Sequence, residues 1–86
     1  MKLIETKGDV KFYKNENNKL YQQIGDGDIF KCHDGAVTFK PIKQVNGHLI
    51  KYDNNGIYGF TIFRGKIALE DRIWSFAEAE RIAREM

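Results

Sequence analysis

The chain has 86 residues, 42% hydrophobic and 30% charged, with a net charge of +2 and one cysteine. These figures describe a single folded domain rather than a disordered chain. They rule out an internal disulfide, and no run of about 18 apolar residues is present to span a membrane.

The N-terminal "MKLIETKGDV" lacks the apolar segment of a signal peptide. With one cysteine and no staple, a reducing cytoplasm is the expected setting. From there the dominant rhythm is two-residue alternation broken by turns, which predicts short β-strands. "VKFYK" (10–14) and "KLYQQI" (19–24) flank the polar loop "NENN", as in a hairpin. "DIFKC" (28–32) predicts a short strand between the Gly25–Gly27 turn and the Asp34-Gly35 turn, with Phe30 and Cys32 inward and Lys31 and His33 outward. "AVTFK" (36–40) alternates Val37 and Phe39 inward before Pro41, which has no N–H and marks a sheet edge or a strand break.

Asn46-Gly47 is the clearest hairpin signal, because both residues accept the positive φ of a type I′ turn. It joins "IKQV" (42–45) to "HLIKY" (48–52). The Asp53–Gly56 turn leads into "IYGFTIF" (57–63), and Arg64-Gly65 into "KIALEDRIW" (66–74). At residue 75 the period changes. Ser75 with Glu78 forms a capping box, and Phe76, Ala79, Ile82, Ala83 and Met86 recur at helical spacing. Glu80 and Arg84 are placed for an i,i+4 ion pair on the wet face.

The expected fold is therefore α+β, in one domain, 1–86. Residues 1–74 supply a curved antiparallel β-meander of five or six short strands, barrel-like in its curvature. The C-terminal helix 75–86 packs against it. The expected core is Phe12, Leu20, Ile24, Phe30, Val37, Phe39, Val45, Ile50, Phe60, Ile62, Ile67, Leu69, Ile73, Trp74, Phe76, Ala79 and Ile82.

The run "IGDGDIFKCHDG" (24–35) is the one stretch that resembles a chemical site. Counted from Asp26, a calcium loop needs glycine at position six and a glutamate at position twelve, and the chain has Lys31 and Val37 there. Cys32 and His33 are adjacent, so a strand turns them to opposite faces and neither shares a metal with the other. His48 is the only other histidine. No nucleophile–base motif, phosphate loop or dinucleotide fingerprint is present. The expectation is accordingly no catalytic residue, no metal and no cofactor.

Charge is uneven. Residues 31–66 carry Lys31, Lys40, Lys43, Lys51, Arg64 and Lys66 against Asp34 and Asp53, a local +4. Aromatic residues lie among these cations, so the candidate binding surface is Lys40, Lys43, Lys51, Tyr52, Tyr58, Arg64 and Lys66. Strands 48–52, 57–63 and 66–74, followed by a helix with "EAERIA", resemble sheet-reading DNA-binding domains of the AP2 and integrase-arm kind over about 40 residues. That resemblance implies a sheet face laid on nucleic acid. Strand 57–63, however, has no Arg or Lys, and Glu70 and Asp71 stand where phosphates would come. A contact function with a protein partner is the preferred expectation, as an inhibitor, adaptor or accessory subunit, with mobile elements as one setting. The alternative is nucleic acid on the basic, aromatic sheet face. Homo-oligomers through strand-edge pairing and no membrane role complete the reading.

Overall fold

The computed structural model describes all 86 residues. β1 (Lys2–Lys7), β2 (Val10–Lys14), β3 (Leu20–Ile24) and β4 (Ile29–Lys31) form a first sheet in that order. β5 (Phe39–Val45), β6 (His48–Asp53), β7 (Phe60–Arg64) and β8 (Ile67–Ile73) form a second, and α1 (Phe76–Glu85) follows. Every ladder is antiparallel and joins consecutive strands. The α+β class, the antiparallel meander and the C-terminal helix are as expected. The strands number eight rather than five or six, and they form two sheets with no closed barrel.

Two strands depart locally from period two. In "KLIETK" the apolar Leu3 and Ile4 are adjacent, so β1 shows no alternation; a bulge between Leu3 and Glu5 absorbs the misfit. Of the two readings at Pro41, a sheet edge or a strand break, the edge holds: residues 39–45 make one edge strand, with a bulge between Pro41 and Lys43. Asn54 donates its N–H to the Thr38 carbonyl at 3.0 Å, which turns Thr38 toward the β6 side. Alternation then turns the Phe39 and Pro41 backbone away from β6, where a missing N–H breaks no ladder.

The main core lies on one face of the second sheet. Ile50, Tyr52, Phe60, Ile62 and Ile73 pack against Ala79 and Ala83 of α1 and against Val10 and Phe12 of β2. The two alanines bring the helix backbone close to the sheet, and Phe76 fills the margin 5.7 Å from the Phe60 ring. Tyr52 and Phe60 meet edge to face at 4.8 Å. Each large apolar side chain buried here contributes about 1.5–3 kcal/mol. Ser75 Oγ accepts from the Glu78 N–H, as the capping box requires. The Glu80–Arg84 pair does not form: Glu80 meets Lys43 of β5 at 2.6 Å, and Arg81 bridges Glu78 and Glu85.

Three expected core residues are exposed. Val37 lies in the loop between the sheets, and Ile67 and Leu69 are on the outermost strand, β8, which lacks a covering neighbour. Beside the core that Val10 and Phe12 share with the second sheet, the two sheets also meet along a polar seam. Tyr52 Oη donates to Gln22 Oε1 at 2.7 Å, and Gln22 Nε2 donates to the Asn54 carbonyl at 3.0 Å. Gln22 is fully buried, so both ends of its amide are satisfied across the joint. Beside it, Lys7 Nζ stands 4.7 Å from the centre of the Trp74 ring, which meets Phe12 edge-on.

Candidate functional site: the helix-free face of the second sheet

Alternation along β6 and β7 sends Ile50, Tyr52, Phe60 and Ile62 to the helix side and Leu49, Lys51, Thr61 and Phe63 to the other. That second face is uncovered by α1. Its margin is set by Asp53, which is fully buried and has no cation beside it. Its carboxylate instead accepts backbone N–H groups from Asn55, Ile57 and Tyr58, each at 2.7 Å. One side chain thus folds the 54–59 loop and fixes where Tyr58 emerges.

Three rings line this face. Phe39 lies edge-on to Phe63 at 5.2 Å and stacks on Tyr58 at 6.4 Å. A cation sits on each end of the row: Lys51 Nζ is 4.6 Å from the Phe63 centroid, and the Arg72 guanidinium carbon is 5.3 Å from that of Tyr58. Arg72 takes a left-handed backbone (φ 56), rare for a side chain of this size, beside the irregular β7–β8 register. Its N–H donates to the Tyr58 carbonyl at 2.7 Å, which ties the cation's backbone to the ring it covers. All three rings and Lys51 are half-buried, and Thr61 beneath them is buried with its hydroxyl unpartnered.

The seven candidate residues do not share one surface. Lys51 and Tyr58 join the aromatic row, whereas Lys43 lies on the helix side, in contact with Glu80. Lys40 lines the cleft between the sheets, and Arg64 and Lys66 flank the exposed β7–β8 turn. Tyr52 is a correction: it is 1% exposed and belongs to the core. Its parity with Ile50, two residues away, is the signal that places it there. The same parity identifies Phe63, opposite in sense to Ile62. Phe39 is a second correction: expected in the core, it pairs opposite Asp53 and lies on the helix-free face against Phe63 and Tyr58. Arg72 carries no comparable mark, since a left-handed residue sets its direction.

The run 24–35 reaches the surface at a different place. Asp28, Phe30, Cys32, His33 and Asp34 line a cleft of about 710 Å³ between the sheets. No three His, Cys, Asp or Glu side chains come together as a metal-binding group. His48 sits apart, with Asn46, Arg64 and Met86 around the end of the helix. Burial, assisted by the Asp53 charge, pushes the Cys32 thiol from 9.0 up to about 11. Burial also drives the Tyr52 phenol well above its ordinary range.

A thiolate is therefore scarce at neutral pH. Raising the thiol from 9.0 to about 11 lowers the thiolate fraction about 100-fold, and greater nucleophilicity restores only about tenfold of that. Iodoacetamide is accordingly expected to label Cys32 at pH 8 at least about tenfold more slowly in the native protein than in urea. A native rate equal to that in urea, or one reaching its plateau near pH 9, contradicts this. The folded thiol titrates above the unfolded one, so its stabilising contribution is whole below pH 9.0 and fades as pH rises through about 11.

No protein-family model matches this chain, and no curated protein or solved structure shows significant similarity to it.

Proposed function

We propose that this chain is a small non-enzymatic binding protein that acts by contact with a protein partner through the helix-free face of the second sheet. The row Phe39, Tyr58 and Phe63, with Lys51 and Arg72 over its ends, carries this reading. Tyr, Phe and Arg are residue types that anchor interfaces, and rings already held in place lose little freedom on binding. The two cations suit an acidic partner surface with apolar side chains at its centre.

Three of the four free strand edges argue for this face over edge pairing, and the fourth, β4, is only three residues long. β1 has a bulge and lysines at both ends, β5 has Pro41 and a bulge, and β8 has two register irregularities beside Glu70 and Asp71. These devices are ones by which sheets resist pairing with copies of themselves, so self-association through edges is disfavoured. A reducing cytoplasm suits the single buried thiol.

The Lys51–Phe63 and Arg72–Tyr58 pairs also support a second reading, in which bases of a single strand stack on the rings and the cations turn to phosphates. Two measurements separate these readings. A photoreactive residue replacing Leu49 is introduced in the source cell, with and without Phe63→Ala or Lys51→Glu. The protein reading expects one discrete cross-linked protein, captured about tenfold less when Phe63 is truncated. Oligonucleotide affinity that falls steeply between about 50 and 200 mM salt and weakens with Lys51→Glu selects the second reading instead.

A further inference from the structure

β4 and β5 are consecutive in the chain and leave a common loop, residues 32–38, yet they belong to different sheets and share no ladder. Between them lies the cleft of about 710 Å³. Its apolar lining comes from both sheets: Ile24 and Phe30 from one side, Ile42 and Tyr52 from the other. Ile42 is 40% exposed, so this lining is open to a ligand.

The backbone on the β4 side has unused hydrogen-bonding groups. Cys32 donates its N–H to the Leu20 carbonyl of β3 at 2.9 Å, which turns residue 32 toward β3. Alternation turns Phe30 the same way, so the N–H and C=O of Ile29 and Lys31 point to the free edge. At three residues, β4 is the one edge strand with neither a proline nor a bulge. The β5 wall opposite is blunted by Pro41 and supplies side chains instead. A slot with a pairing edge on one side and a non-pairing wall on the other admits a single extended segment. It does not admit the edge of another folded sheet.

Charge narrows the occupant further. Lys31 and Lys40 contribute to the cleft from its two walls, and neither takes part in any of the four ion pairs. Asp28 and Asp34, also unpaired, flank β4 in the chain and leave Lys31 between them. We infer that the cleft between β4 and β5 binds an extended peptide segment of a partner protein, one alternating apolar with acidic residues. Its backbone pairs with Ile29 and Lys31, its apolar side chains rest on Ile24, Phe30 and the exposed Ile42, and its carboxylates meet Lys31 and Lys40. This site is separate from the aromatic face, and either can fail without the other.

The test is selection from a random nonapeptide library displayed on phage against the intact 86-residue protein. The expected consensus alternates apolar and acidic residues. The synthetic consensus peptide should shift the amide resonances of residues 28–34 and 40–42 and protect the Lys31 N–H from exchange. N-methylation of its pairing amide should weaken binding about tenfold or more. Lys31→Glu and the exposed Ile42→Asp should each weaken it about fivefold or more, whereas Lys66→Glu should leave it unchanged. Native amide spectra of the variants establish that they fold. The inference is overturned by no enrichment, by a basic or non-alternating consensus, or by binding indifferent to Ile42→Asp. A parent peptide and an N-methylated peptide of equal affinity also overturn it, since the cleft is then an apolar pocket that ignores backbone.

Discussion

Asp53→Ala is expected to destabilise the protein by about 3–5 kcal/mol, measured as a fall in the urea midpoint at unchanged slope. Three backbone N–H groups, those of Asn55, Ile57 and Tyr58, donate to this one buried carboxylate, and alanine leaves them without a partner. Charge-assisted hydrogen bonds contribute about 1.5–3 kcal/mol each, and they do not add fully because the loop relaxes as a unit. The total stability of a domain this size is about 4–13 kcal/mol, so the variant stands near the limit of folding. Asp53→Asn keeps the measurement within reach. Its amide oxygen can take the place of Oδ2, which serves Ile57 and Tyr58, but its NH₂ then confronts the Asn55 N–H. About half the loss is expected. A loss under about 1 kcal/mol for Asp53→Ala would show that water replaces the carboxylate, and the account of the loop would be wrong.

Gly59→Ala is expected to cost about 3 kcal/mol or more. Gly59 combines a left-handed φ of 65 with a close approach: an added Cβ would stand 2.7 Å from the Ile73 carbonyl oxygen and 2.9 Å from the Trp74 ring. The left-handed backbone alone costs a residue with Cβ about 1–2 kcal/mol. The rest comes from displacing a backbone carbonyl, which cannot swing aside as a side chain does. Gly65→Ala isolates the first contribution, because Gly65 has nearly the same φ, 61, with nothing within 4 Å of the new atom. If the two substitutions cost the same in urea titrations, crowding at Gly59 contributes nothing.

Where sequence periodicity was undisturbed, it predicted the fold. Asn46 and Gly47 take the positive φ that a type I′ turn demands (51 and 76), and Ser75 caps the helix as its spacing with Glu78 implies. Legibility failed where geometry departs from period two. β1 was invisible because its bulge places two apolar residues side by side. The division into two sheets depends on residues 32–38, whose Asn54 contacts reach His33 at 2.8 Å and Thr38 at 3.0 Å. No local pattern encodes that long-range junction. Of the five residues of the aromatic face, Lys51 and Tyr58 were legible from composition, and Phe63 follows from its parity opposite to Ile62. Arg72 was not, since its place over Tyr58 depends on a left-handed residue at a bulge. Tyr52 was misread for a chemical reason. Its hydroxyl suggests water, but Gln22, fully buried and 30 residues away in the chain, receives that hydroxyl instead.

The seam between the sheets has a kinetic consequence. Every ladder closes over a short connection: two residues between β1 and β2, β5 and β6, and β7 and β8, and at most six elsewhere. Hairpins of that kind form in about 1–10 μs, with little entropy spent on closure. Neither four-stranded half needs the other in order to zip. Distant stretches must meet when Val10 and Phe12 enter the core of the second sheet, when Gln22 reaches Tyr52 and Asn54, and when Asp9 reaches the Trp74 carbonyl. The slow event expected in folding is then the docking of the two halves, with the barrier in a joint of a few hydrogen bonds and the shared burial of Val10 and Phe12 rather than in the hairpins themselves.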